Sequence, residues 1–193
     1  IREIVLSLRN FSRLGESDFK TANIHEGIDS TLLILGHRIK SFENRASVEI
    51  VKSYGDIPSI ECFPAQLNQV FMNCLANSLD AIEEAIEVEK DSSNNLQYRS
   101  SFRVWIDTRT CGDSCVEVRI GDNGIGIDSK TKDKLFDYFF TTKPVGKGTG
   151  LGLAISRKIV VEKHRGELKV NTELDRGVEF IIRLPIKLDK AAN

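Results

Sequence analysis

The chain carries no surplus of either charge: 27 basic side chains stand against 28 acidic ones across 193 residues, for a formal charge of −1. Without a basic footprint nothing is available to hold a phosphate backbone, so nucleic acid is not an expected partner. No apolar run approaches the roughly 18 residues of a membrane helix, and no charged-then-apolar leader opens the chain. The expectation is a soluble, cytoplasmic domain with no direct membrane contact. Cysteines number only four. Cys111 and Cys115 bracket the turn GDS with no companion His or Cys cluster, which makes a poor zinc site. Together with Cys62 and Cys74, which lie in apolar surroundings, they read as reduced structural thiols. Internal repeats are absent. So are two familiar phosphate loops: Lys147 precedes Gly148 rather than Ser or Thr, and no GxGxxG follows a strand.

What is present suffices for one domain, since 40% of the residues are hydrophobic. Ile1, Ile4, Val5, Leu8 and Phe11 have helical spacing with no start signal before them, which predicts the end of a helix cut from something longer. The polar stretch LGESDFKTA then reads as a hinge. A second helix opens on the capping pattern Asn23 to Glu26 and runs to about Lys40, with Ile28, Leu32, Leu35 and Ile39 on one face. SVEIVKSYG from Ser47 alternates like a strand, PSIECF leads to Pro64, and a helix follows from there to about Val88. EKDSSNNLQYRSS reads as a loop. FRVWIDTRT and CVEVRIGD form a hairpin whose second strand ends on Asp122. From about Asp128 to Thr149 no period is sustained, which predicts a mobile lid with a short helix near Lys132 to Phe136. A last helix from about Gly150 to Lys163 stops at Gly166, and the strands GELKVNT and GVEFIIRLP follow. Helices beside a mixed sheet with sequential hairpins make the fold class α+β.

Three blocks carry chemistry. Asn73 and Asn77, four residues apart, project from one helix face. An amide oxygen there is a fair ligand for Mg²⁺. Leu67, Val70, Phe71, Cys74, Leu75 and Leu79 occupy the other side and turn the Asn face toward a cleft. In DNGIGI, Gly124 and Gly126 let the backbone approach a flat ligand, and the carboxylate of Asp122 can accept from an exocyclic amine such as that of adenine. In GKGTGLGLAIS, Gly148, Gly150 and Gly152 expose amides where Thr149 can cap the next helix, so N–H groups and the helix dipole face one point. The dipole contributes only about 0.3 to 1 kcal/mol, so Lys143 and Lys147 are needed beside it.

In this order the blocks resemble the ATP-binding domain of sensor histidine kinases, within the GHKL superfamily that includes gyrase, the Hsp90 chaperones and MutL. Asn73 and Asn77 resemble its N box, DNGIG its first glycine box, LFDYFF its F box, GTGLGLAIS its second glycine box and GVEFIIRLP its closing strand. The resemblance implies a two-layer α/β sandwich of the Bergerat type: a mixed sheet, helices on one face and a mobile ATP lid. Residues 1–21 would be the end of the dimerisation and phosphotransfer helix plus the hinge, and residues 22–193 the catalytic domain. ATP and Mg²⁺ are the implied cofactors. Asn77 would coordinate the metal, Asp122 hold the adenine amine, Gly124 and Gly126 floor the base pocket, and Phe136 and Phe139 pack the lid. Asn73, Lys143 and Lys147 would serve catalysis, the two lysines by reaching phosphates. Asp80, Ala81, Ile127, Thr141, Thr142, Gly148, Thr149, Gly150, Leu151, Gly152 and Leu153 would complete the nucleotide site.

The implied partners are a histidine-bearing hairpin of the same or a sister chain, a response regulator receiver domain, and a second copy in the full-length protein. His25, His37 and His164 do not fit the phosphoacceptor motif, so the acceptor is expected upstream. Asp80 stands where many sensor kinases place a Lys or Arg that touches phosphate, which puts a phosphate contact from this helix in question. Two other readings are weighed. An ATP-hydrolysing clamp typically has a Glu base at the place of Asn73, and an amide cannot take that proton. A nucleotide-binding pseudokinase has no need of the intact glycines, both Asn residues and both Lys residues.

Overall fold

The computed structural model describes residues 18–40, 48–91, 101–143, 148–173 and 176–188. The helix expected at residues 1–13, most of the loop expected at 89–101, and Lys147 lie outside them. In chain order the elements are β1 (Lys20–Ala22), α1 (Ile24–Lys40), β2 (Val48–Tyr54), β3 (Ile60–Cys62), α2 (Pro64–Asp91), β4 (Phe102–Thr110), β5 (Cys115–Asp122), α3 (Ser129–Lys134), α4 (Gly152–Lys158), β6 (Glu167–Glu173) and β7 (Gly177–Pro185). Five strands form one mixed sheet in the order β2-β4-β5-β7-β6, parallel only between β2 and β4. Among the described residues no helix is long and apolar enough to cross a membrane.

Alternation along the strands assigns the two faces of the sheet. Phe102, Val104 and Ile106 of β4, Val116, Val118 and Ile120 of β5, and Phe180, Ile182 and Leu184 of β7 are buried with the apolar face of α2, where Leu67, Val70, Phe71, Cys74, Leu75 and Leu79 are no more than 1% exposed. Each such aliphatic or aromatic side chain contributes about 1.5 to 3 kcal/mol by leaving water. The same helix therefore closes the core with one face and leaves Asn73 and Asn77 on the other. Helix α1 starts as expected, with Asn23 Oδ1 accepting from the His25 amide at 3.0 Å.

On the other face of β5, Glu117 has no exposed surface and accepts from Arg109 (2.9 Å), Arg119 (2.8 Å) and Arg183 (2.7 Å). Burial alone would raise its pKa, but the three guanidiniums outweigh it and pull the carboxyl down to about 2. The stabilisation is present above the ordinary value of 4.5 and is lost as pH falls from there toward 2.

Two local expectations need correction, and the last helix, which ends at Lys163 as expected, carries a feature the sequence does not announce. The stretch read as a hinge contains β1, whose Lys20, Thr21 and Ala22 pair antiparallel with Cys62, Glu61 and Ile60. Cys111 and Cys115 are joined as a disulfide rather than standing as reduced thiols. The tight hairpin brings their Cα atoms to 5.0 Å, and the Cys111 amide donates to the Cys115 carbonyl at 2.8 Å. Cys62 and Cys74 are free, and burial pushes both thiols up to about 12. Finally, α4 widens into a π-helical turn, Ile159–Lys163, before the chain turns at His164.

His164 explains that ending. Its imidazole is 1% exposed; Nε2 accepts from the Phe63 amide at 3.0 Å, which places the ring proton on Nδ1, and Nδ1 donates to the Ile159 carbonyl at 2.9 Å. The ring thus ties the end of the last helix to the corner that launches α2. We expect His164→Ala to cost about 1 to 3 kcal/mol, chiefly by orphaning the Phe63 amide. Urea unfolding measures this; a loss under about 0.5 kcal/mol, the level of an ordinary surface change, would contradict the tie.

Candidate functional site

The polar face of α2, the end of β5, the start of β7, and the segment from α3 to α4 enclose a cleft of about 350 Å³, within the range of small-molecule sites. Its inner end is Asp122, fully buried. Oδ1 accepts from the Gly124 amide at 2.9 Å, and the Ser78 hydroxyl and the Val178 amide also lie against the carboxylate. Burial raises the Asp122 pKa to about 6, against the opposing pull of the Gly124 amide, the Ser78 hydroxyl and the Val178 amide. A carboxylate buried at the end of a cleft is costly to keep ionised, and a ligand donor that meets it offsets part of that cost.

The glycines shape this end of the cleft. A Cβ on Gly124 would lie 2.6 Å from the carbonyl carbon of Ala81, so the turn after β5 presses directly on α2, and the Ile125 amide reaches the Ala81 carbonyl at 3.4 Å. Gly126 has φ +69°, which favours glycine. Ile127 is fastened to β6 through Thr172 Oγ1, 3.0 Å from its amide and 3.3 Å from its carbonyl.

At the opposite end, α4 begins at Leu151, whose side chain offers no cap. Thr149 Oγ1 accepts only from the Leu151 amide, at 3.4 Å, so it does not take the capping position expected for it. No side chain caps the first amides of α4, and a helix start of that kind suits an anion. Asn73 supports this start: Nδ2 donates to the Gly152 carbonyl (2.8 Å) and to Ser156 Oγ (2.9 Å).

Between the two ends, Asn77 Oδ1 accepts from Lys143 Nζ at 3.1 Å. The same ammonium pairs with Asp80, whose other oxygen pairs with Arg38 of α1. The Asn77 amide oxygen already faces a cation, and as a neutral oxygen donor it suits Mg²⁺. Among the described residues no group of three His, Cys, Asp or Glu side chains is placed to hold a metal.

Of the residues singled out in the sequence, Asn73, Asn77, Asp80, Ala81, Asp122, Gly126, Ile127, Thr141, Thr142, Lys143, Gly148, Thr149, Gly150, Gly152 and Leu153 line this one cleft. Gly124 and Leu151 are not among its lining residues. Phe136 and Phe139 do not line it, contrary to expectation. Helix α3 starts early, because Asp128 caps the Thr131 amide at 2.9 Å, and ends at Lys134. Phe139 then takes φ +64° and is 74% exposed. Phe136 is partly buried against the core, with the Arg157 guanidinium 5.6 Å from its ring centre. The aromatics in the cleft are Phe140 and Phe180, joined by Ile125 and Leu135. Sequence reasoning also missed Arg38, which lies 42 residues from Asp80 with no pattern linking them.

A family model described as histidine kinase-, DNA gyrase B- and HSP90-like ATPase matches residues 63–188. The chain belongs to this family. Among curated relatives, it is 38% identical over 132 residues to sporulation kinase E of Bacillus subtilis, covering 68% of this chain and 15% of that protein. It is 29% identical over 187 residues to the signal transduction histidine-protein kinase AtoS of Escherichia coli, covering 96% of this chain and 27% of that protein. The chain thus spans between about a seventh and about a quarter of these relatives' length. The fold matches a solved catalytic domain of histidine kinase ThkA, with TM-score 0.69 at 24% identity, over 89% of this chain and 99% of that one. The mixed sheet and helices expected from the sequence are therefore those of the family.

Proposed function

We propose that this chain is the ATP-binding catalytic domain of a cytoplasmic sensor histidine kinase. It transfers the γ-phosphoryl group of Mg·ATP to a histidine on an upstream helical hairpin, within a homodimer, for relay to a response regulator receiver domain. The observation that carries the reading is the fully buried Asp122 carboxylate at one end of a cleft whose other end is the start of α4, which no side chain caps. A carboxylate acceptor suits the exocyclic amine of adenine, and free amides suit phosphate oxygens.

In this reading the residues bind and orient, and the protein contributes position and charge rather than a covalent intermediate. Asp122 selects the base. Asn73 holds α4 against α2 so that its amides meet the phosphates. Asn77 would hold the magnesium ion, which supplies charge neutralisation to the phosphate oxygens when bound. Lys143 would reach the terminal phosphates, and by the family resemblance Lys147 would join it. Against the ATPase clamp stands Asn73, whose amide already donates to Gly152 and Ser156 and offers no base.

The direct test is γ-labelled ATP with magnesium, given to this chain alone and with its upstream hairpin. Acid-labile, base-stable label confined to the hairpin supports the proposal. Steady phosphate release without labelled protein points to a clamp, and nucleotide binding with neither points to a pseudokinase. We also expect Asn77→Asp to change metal preference and to weaken Mg·ATP binding, because a charge replaces a neutral ligand. Unchanged affinity by calorimetry would remove Asn77 from the metal shell.

A further inference from the structure

Asp80 is a carboxylate on the cleft side of α2, beside the region assigned to a polyphosphate, where simple charge repulsion disfavours it. Its surroundings give it a different meaning. One oxygen is held by Arg38 Nη2 from α1, which also donates Nη1 to the Ala76 carbonyl at 3.4 Å. The other oxygen holds Lys143 Nζ, which reaches across the cleft from the segment between α3 and α4 and donates to Asn77 Oδ1 at 3.1 Å. An ammonium has three donors, and these two partners use two of them, leaving one for a ligand. Held by both partners, the long lysine side chain has less rotamer entropy left to lose on meeting a ligand.

From this arrangement we infer that Asp80 is a positioning residue: anchored by Arg38, it holds Lys143 beside Asn77 so that the nucleotide's phosphates meet a preplaced ammonium. The inference rests on the nucleotide reading above and extends it. It also accounts for an acidic side chain on a helix that faces phosphate, because Asp80 acts through the lysine it recruits.

The two views of Asp80 give opposite signs. If the carboxylate merely repels phosphate, Asp80→Asn tightens ATP. If it positions Lys143, Asp80→Asn weakens ATP relative to adenosine, which lacks phosphates and reports the base pocket and the fold. The experiment is calorimetry of ATP and adenosine, in one magnesium buffer, on the full chain and on Asp80→Asn, Lys143→Ala and the double variant. We expect Asp80→Asn to lower the ATP-over-adenosine preference roughly five- to tenfold, Lys143→Ala to lower it at least as much, and the double variant to be no worse than Lys143→Ala alone. Tighter or unchanged ATP binding in Asp80→Asn, or losses that multiply in the double variant, would overturn the inference. Failure of the unaltered chain to bind ATP at all would instead remove the nucleotide reading on which it rests.

Discussion

Asp122→Asn is expected to make the ligand-free domain more stable while weakening ATP by about 10- to 100-fold, the range of a lost hydrogen bond to a charged group. The stability half follows from the carboxyl's pKa, raised by burial from 3.8 to about 6. At pH 7 the folded chain must keep this group ionised without solvent, whereas the unfolded chain ionises it freely. A shift of that size corresponds to about 3 kcal/mol at most, and an amide that keeps Oδ1 for the Gly124 amide should recover about 1 to 3 kcal/mol of it. For a domain of this size each kcal/mol moves the melting temperature by about 2 to 4 °C.

The sign with pH is fixed as well. Between 3.8 and about 6 the folded form binds more protons than the unfolded one, so this group's penalty fades as pH falls through 6. His164 works the other way, since burial lowers its pKa and its contribution declines as pH falls below 6.5. Taking the difference between wild type and Asp122→Asn cancels that histidine. The functional half is read with two nucleotides: an amide nitrogen at the Oδ2 position faces the adenine amine donor to donor, whereas guanine presents an acceptor there. ATP should therefore suffer more than GTP, and equal losses for both would contradict a base contact. Scanning calorimetry without nucleotide that showed Asp122→Asn no more stable than wild type at pH 7 would refute the stability half.

The second large effect is expected at Gly177, which opens β7 with φ +91°. A Cβ there would stand 1.9 Å from the Asp122 carbonyl oxygen, which is backbone and has no side chain to swing aside. Gly177→Ala therefore combines left-handed strain with a forced separation of β7 from the end of β5, together of order 4 kcal/mol. Gly112 is the control. It has φ +70°, and a Cβ there meets nothing within 4 Å, so Gly112→Ala should show the strain alone, about 1 kcal/mol. Denaturant unfolding of the pair separates the two contributions. If the variants differed by less than about 1 kcal/mol, the backbone contact would not be the cause. Because the displaced strand end carries Asp122, Gly177→Ala should also lose ATP affinity under conditions where it remains folded.

Much of the cleft was legible because its parts lie in contiguous blocks. Asn73, Asn77, Asp80 and Ala81 share one helical face, and residues 122–127 follow one strand end, so periodicity and turn chemistry suffice to place them. What escaped the sequence depends on distant partners. β1 is three residues long and exists only because β3 lies beside it, 40 positions away. The Arg38–Asp80–Lys143 chain joins three separate segments, and charge patterning along any one of them does not announce it. In LFDYFF, the family resemblance put Phe136 and Phe139 in the lid, beyond a short helix expected to end near Phe136. The helix had already ended at Lys134, and the positive φ at Phe139 turned that ring outward and left Phe140 inside.

Strand β5 has its two special residues at opposite ends, Cys115 in the disulfide-closed hairpin and Asp122 in the cleft. Seven residue steps at about 3.3 Å each put them roughly 23 Å apart, well beyond the screening distance of about 8 Å in physiological salt. Opening the bridge in a reducing compartment, or hanging a bulky or charged group on Asp113, therefore leaves the nucleotide's electrostatic surroundings untouched. The hairpin tip is a silent handle on this domain, suited to a tethered dye or a surface anchor that reports on the cleft without taking part in it.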